Sequence, residues 1–307
     1  MERRDYIQAP NTKIALSILQ LQDVNFKSEK EKWRLQFNYI PQLHNKHKIL
    51  ALILSKMQDA FDIRRGNFRD TMIFVNIAEL EEIHVAEDKH PQRNIDKLKS
   101  CAEALSSAKV FRVDTETGEE EYRYLFPKGK SFMVNKKLVG YYFCLEQSHN
   151  IISELWKAIL RSYGNIPYST FELDKDAFLL AYYLMTNHKL AKKTNYQITL
   201  DQLLLKLNIT TRARQGKKLI YPRDRGRNAI QTINEKEDFP LRIFENDNFP
   251  DQYQVVVKRR GSQSRNYADQ HKKKQTKQQV EKSPNVSVID EQLKAQNVLD
   301  TTTKEAL

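Results

Sequence analysis

Cysteine is almost missing from this chain of 307 residues: only Cys101 and Cys144 occur. Two thiols cannot build a disulfide framework or a thiolate zinc site, and so few suit a reducing cytoplasm, the compartment expected here. Glycine is scarce too, with eight in all, and none falls in a phosphate-cradling loop, which argues against nucleotide hydrolysis. A DNA-nicking enzyme would need a metal-binding histidine pair flanking one apolar residue and a nucleophilic tyrosine nearby. No such pair exists. His44 and His47 come closest, lack clustered carboxylates, and read as surface residues. The apolar run Ile49 to Leu54 is too short to span a bilayer, and MERRDYIQAPNTK has no apolar core of signal-peptide length. The expectation is a protein without catalytic residues, cofactor or metal, and without a membrane partner.

What is abundant is positive charge. A formal net charge of +12 and a pI near 9.4 favour a polyanionic partner, because neutralising phosphates releases condensed counterions. The hydrophobic fraction of 40% supplies cores for two ordinary domains.

Periodicity organises the chain into a repeat. The polar first 32 residues read as a loosely attached, flexible arm. In HKILALILSKMQDAF, Ile49, Leu50, Ile53, Leu54, Met57 and Phe61 recur at helical spacing. A strand over Thr71 to Val75 follows, then a helix capped by Asn76, then a third helix from Pro91 with Ile95, Leu98, Ala102 and Leu105 inward. KVFRVDTETGEEEYRYLF alternates on both sides of a turn and predicts a hairpin, which a strand over Leu138 to Leu145 could join.

The second half restates this order. Ile151 to Tyr163 predicts a bridging helix, and AFLLAYYLMT is apolar nearly all round, with Tyr182 and Tyr183 read as core, like Trp156 before them. ITLDQLLLKLNI gives a strand, a cap at Thr199 and a helix. A basic loop, TTRARQGKKLIY, leads to a third helix over Pro222 to Glu235, whose Gly226 weakens the helix and suggests a later start. FPLRIFENDNFPDQYQVVV closes as a hairpin. Beyond Val257 the composition shifts to Lys, Gln, Ser and Asn, predicting a basic disordered tail over 258–307.

Helix, strand, helix, helix and a two-stranded wing is the order of the winged-helix variant of the helix-turn-helix, so the predicted fold class is α+β with two tandem winged-helix domains, 33–148 and 149–257, carrying small antiparallel wings. Between His188 and Arg227 stand eleven Lys or Arg against Asp201 and Asp224. Arg212, Arg214, Lys217 and Lys218 are placed to meet phosphates. Arg223, Arg225, Arg227, Asn228 and Gln231 are types that reach base edges: Arg reads guanine with a bidentate fork, Asn and Gln read adenine. Gln92, Arg93, Asn94 and Lys97 hold the equivalent places in the first half, behind acidic Glu79, Glu81 and Glu82, so that domain could serve protein contacts instead. No stacking aromatics are expected in a recognisable exposed sheet motif, which argues against a structural or RNA-binding protein that uses the basic surface without sequence selection.

The phrases AFLLAYYLMTN, ITLDQLLLKLNI and RNAIQTINE, in this order and followed by a hairpin, resemble plasmid replication initiators (Rep proteins) with two winged-helix domains, over about Lys46 to Val257. The resemblance implies sequence-specific binding of double-stranded DNA at directly repeated origin sites, opening of nearby DNA, recruitment of a host helicase or loader, and a homodimer formed through the first domain. A transcriptional regulator on the same fold would recognise inverted repeats, and a nonspecific structural binder no sequence at all.

Overall fold

The computed structural model describes residues 6–27, 31–62, 64–65, 67–70, 72–86, 91–125, 130–134, 137–145, 150–160, 162–187, 196–210, 213–215, 218–237 and 239–257. The tail expected to be disordered lies outside them. The fold is α+β with small antiparallel sheets.

The first residues are not a loose arm. Strand β1 (Tyr6–Pro10) is followed by helix α1 (Lys13–Gln20), capped by Thr12, whose Ile14, Ala15, Ile18 and Leu19 are buried. These apolar residues recur at helical spacing, and burying them ties the segment down. Strands β2 (Val24–Lys27) and β3 (Glu31–Gln36) come next.

Helix α2 (Lys46–Ala60) runs through the core, with Ile49, Leu50, Ile53 and Met57 fully inaccessible. Short strands β4 (Phe61–Asp62) and β5 (Asn67–Phe68) pair with each other. Then follow β6 (Met72–Asn76), α3 (Ile77–Glu82) and α4 (Pro91–Ser107). Four strands complete the half: β7 (Lys109–Asp114), β8 (Glu120–Tyr124), β9 (Lys130–Val134) and β10 (Lys137–Cys144). The strand foreseen over Leu138 to Leu145 does not join the β7–β8 hairpin. It pairs with β6 and β9, giving a sheet of order β6-β10-β9, while β7 and β8 extend β2 and β3 into a separate sheet of order β2-β3-β7-β8.

The second half comprises α5 (Asn150–Leu160), β11 (Tyr163–Pro167), a 3-10 turn (Tyr168–Glu172), α6 (Lys175–Thr186), β12 (Tyr196–Thr199), α7 (Leu200–Lys206), β13 (Ala213–Gln215), β14 (Lys218–Ile220), α8 (Pro222–Glu235), β15 (Leu241–Asn246) and β16 (Phe249–Val257). Its sheet has the order β12-β16-β15. In both halves the strand before the short third helix, β6 before α3 and β12 before α7, therefore pairs with the last strand of the half, which pairs in turn with the strand before it. The helix that follows starts alike in both: Asn76 with Glu79, and Thr199 with Gln202, form reciprocal capping boxes that satisfy the first free amides.

The halves belong to one compact unit ending at Val257. Strand β1 pairs with β11, Ile7 facing Ile166 and Ala9 facing Gly164. Tyr182, wholly buried on α6, donates its hydroxyl to the Pro10 carbonyl at 2.8 Å, and Gln58 on α2 donates to the Leu160 carbonyl at 3.1 Å. His47 is buried, not a surface residue. Its ring lies 5.0 Å from that of Phe178, neither nitrogen has a hydrogen-bond partner among the described residues, and burial pushes its pKa down to about 3.

Candidate nucleic-acid interface

Helix α8 begins at Pro222, whose missing N–H costs nothing at a first helical position, and it runs unbroken through Gly226. The glycine has a packing reason: a Cβ there would sit 2.9 Å from both Leu200 Cδ1 and Leu204 Cδ2 of α7. Close approach of α7 and α8 offsets the helix-propensity cost of about 1 kcal/mol, so the helix does not start late. With Gly226, Ala229, Ile230 and Ile233 buried, the opposite face presents Arg223, Asp224, Arg227, Asn228, Gln231 and Glu235 to solvent.

Arg225 does not share that face. It turns inward to make a bidentate pair with Asp176 on α6, both N···O distances being 2.7 Å, and its side chain is 13% exposed. Removing either partner would leave a charge stranded in poor solvent, so Arg225 ties two helices together and is withdrawn from any base-reading role.

Arg223 and Arg227 share one carboxylate. Asp251 on β16 accepts from Arg223 Nη2 at 2.8 Å and from Arg227 Nη2 at 2.9 Å. That hydrogen bonding favours the charged form and raises the Arg227 pKa. The backbone of Asp251 sits at φ 62°, and its N–H donates to Glu245 Oε1 at 2.9 Å. A guanidinium carries five donors, so Asp251 fixes both side chains while leaving N–H groups on each for an incoming acceptor. Gln231 donates to Glu235 at 2.7 Å within the exposed stripe. Between α8 and the β15–β16 hairpin lies an open groove of about 440 Å³, with Arg227, Gln231, Asn234 and Tyr253 on its walls.

The segment before α8, expected to be a loop, contains a hairpin: β13 pairs with β14, Arg214 facing Leu219 and Gln215 facing Lys218. Arg214 and Lys218 thus stand on adjacent strands directly ahead of α8, while Arg212 and Lys217 lie outside the described residues.

The first half offers less. On α4, Asn94 is buried at 3% exposure, Lys97 Nζ donates to the Val85 carbonyl at 2.7 Å, and Gln92 donates to Asp96 at 2.9 Å. Only Gln92 and Arg93 of the four candidates face solvent, and Asn94 cannot reach a ligand from the core.

Inspection of sequence alone missed Asp176 and Asp251, the acids that sort the three arginines into one inward and two outward. Both lie outside the basic stretch from His188 to Arg227, and nothing local in the sequence links either acid to α8. Among the described residues no group of three His, Cys, Asp or Glu side chains could hold a metal ion, and no helix is long and apolar enough to cross a membrane. No family model, curated protein or solved structure matches this chain.

Proposed function

We propose that this protein is a replication initiator that binds double-stranded DNA sequence-specifically through two winged-helix modules, the second making the main contacts. The observation that carries the reading is the outward stripe of Arg223, Arg227, Asn228 and Gln231 on α8, the last helix of the second half; the sheet order β12-β16-β15 beside it supports a winged-helix reading. In that arrangement α8 enters the major groove, where bidentate Arg reads guanine and Asn or Gln reads adenine. The β13–β14 hairpin brings Arg214 and Lys218 beside the phosphates, and the β15–β16 wing lies along the backbone. Replication, as against DNA binding in general, rests on the resemblance of the second half to Rep proteins, as do recruitment of a host helicase or loader and dimerisation through the first half.

The test is footprinting of the purified full chain on DNA flanking its own gene, at physiological salt with excess nonspecific duplex. Protection of evenly spaced direct repeats, lost in an Arg227→Ala, Gln231→Ala double variant, supports initiation. Inverted repeats would make the protein a regulator instead, and salt-sensitive coating with no protected site would overturn sequence reading altogether.

A further inference from the structure

The outer face of the sheet β2-β3-β7-β8 is built unlike any other surface of the molecule described above. Register places Arg34, Phe111 and Tyr122 in one row across β3, β7 and β8, and Gln36, Lys109 and Tyr124 in the next. The rings are close: Phe111 and Tyr122 have centroids 5.7 Å apart, Tyr122 and Tyr124 6.4 Å. Cations are interleaved with them. The Arg34 guanidinium carbon lies 4.2 Å from the centre of the Phe111 ring, and Lys109 Nζ lies 4.9 Å from that of Tyr122. Tyr122 is 48% and Tyr124 51% exposed.

Packing does not require this. The opposite face of the same strands already supplies Trp33, Leu35 and Val110 to the core. The same row pattern puts Lys27 and Lys32 directly across from each other, both exposed. Like charges in that position destabilise a sheet, a cost an anion lying between them would remove. Against Lys27, Lys32, Arg34 and Lys109, the register places one acid among these rows, Glu120, which is 3.6 Å from Arg34. Exposed, mutually tilted rings and a guanidinium plane, flanked by lysines, fit a ligand that alternates π-faces with phosphates and whose bases are not already paired.

We propose that this sheet face is a binding platform for single-stranded DNA. Stacking on Phe111, Tyr122 and Tyr124 holds the bases, and Lys27, Lys32 and Lys109 take the backbone. The single-stranded character follows from the platform itself; the commitment to DNA over RNA rests on the duplex-DNA function proposed above.

The experiment measures binding of the full chain to a labelled oligo(dT) of about 12 nucleotides, within the usual span of such sites. The Tyr122→Ala, Tyr124→Ala double variant is expected to bind at least tenfold more weakly, since each stacked base is worth roughly a factor of ten. The Tyr122→Phe, Tyr124→Phe variant keeps the rings and is expected to bind as the parent does. Duplex binding should be unchanged in both, whereas Arg227→Ala should weaken duplex binding and leave oligo(dT) alone. Equal oligo(dT) affinity in parent and double-alanine variant overturns the platform, as does failure of the parent to bind. Binding of oligo(rU) in preference to oligo(dT) overturns the choice of DNA. If duplex binding fails while the oligo(dT) pattern holds, the function proposed above falls and the platform stands.

Discussion

Helices α4 and α8 occupy equivalent places in the two halves, and both were singled out for polar and basic residues near their starts. Only α8 displays them. On α4 the asparagine faces the core and the lysine reaches back to the Val85 carbonyl, whereas on α8 two arginines, an asparagine and a glutamine share the solvent face. A count of charges along a helix is therefore a poor guide to an interface; the face on which they stand decides, and distant residues set the face. Asp176, 49 positions before Arg225, draws one arginine inward, and Asp251 holds its two neighbours outward.

The sharpest way to break this contrast is Arg225→Ala. If Arg225 is a helix tie, the variant loses about 2 to 3 kcal/mol of stability in urea unfolding, the order of a severed part-buried, charge-assisted pair, and its folded fraction binds duplex DNA as the parent does. A loss of affinity without loss of stability would return Arg225 to the interface. Next in size, Arg227→Ala is expected to lose about 2 kcal/mol of binding to the preferred duplex and far less to a random one, measured by titration of both at one salt concentration.

Whether the halves unfold separately is tested through His47, which lies on α2 but packs on Phe178 of α6. Its folded pKa, about 3, lies below the ordinary histidine value, so between pH 3 and about 6.5 the unfolded chain holds the extra proton. Stability is then full above pH 6.5 and falls as pH drops, by up to about 1.4 kcal/mol per unit. Urea midpoints recorded from pH 7 to 5 should show this slope in one transition, and His47→Leu should flatten it. The smallest effect belongs to the first half: Gln92→Ala should change duplex affinity by less than about 0.5 kcal/mol, and a larger loss would erase the distinction between α4 and α8.

Much of this architecture was legible. The helices α2, α6 and α8 announced themselves through apolar spacing, and the caps at Asn76 and Thr199 through residue type. The elements that were missed share a cause. Strand β1 offers only Ile7 and Ala9 as an inward pair and finds its partner more than 150 positions later, so no local pattern marks it. The β13–β14 hairpin is three residues on each side and polar, below the length at which alternation shows. The strand from Lys137 was recognised but assigned to the wrong sheet, because alternation tells which face is buried and not which neighbour is chosen. The exposed aromatics escape notice for the same reason: Phe111, Tyr122 and Tyr124 alternate visibly along two strands, yet which side of that hairpin faces out depends on β2 and β3, neither of which the sequence marks as a strand.

The pairing of β1 with β11 also bears on how the chain comes into being. Synthesis proceeds from the N-terminus, and Tyr6–Pro10 cannot pair until Tyr163–Pro167 has left the ribosome. At 5 to 20 residues per second, that wait lasts roughly ten to thirty seconds. Throughout it the Pro10 carbonyl lacks the Tyr182 hydroxyl it accepts from, and Ile7 and Ala9 lack their partners on β11, the kind of transiently exposed, unpaired strand that chaperones exist to shield.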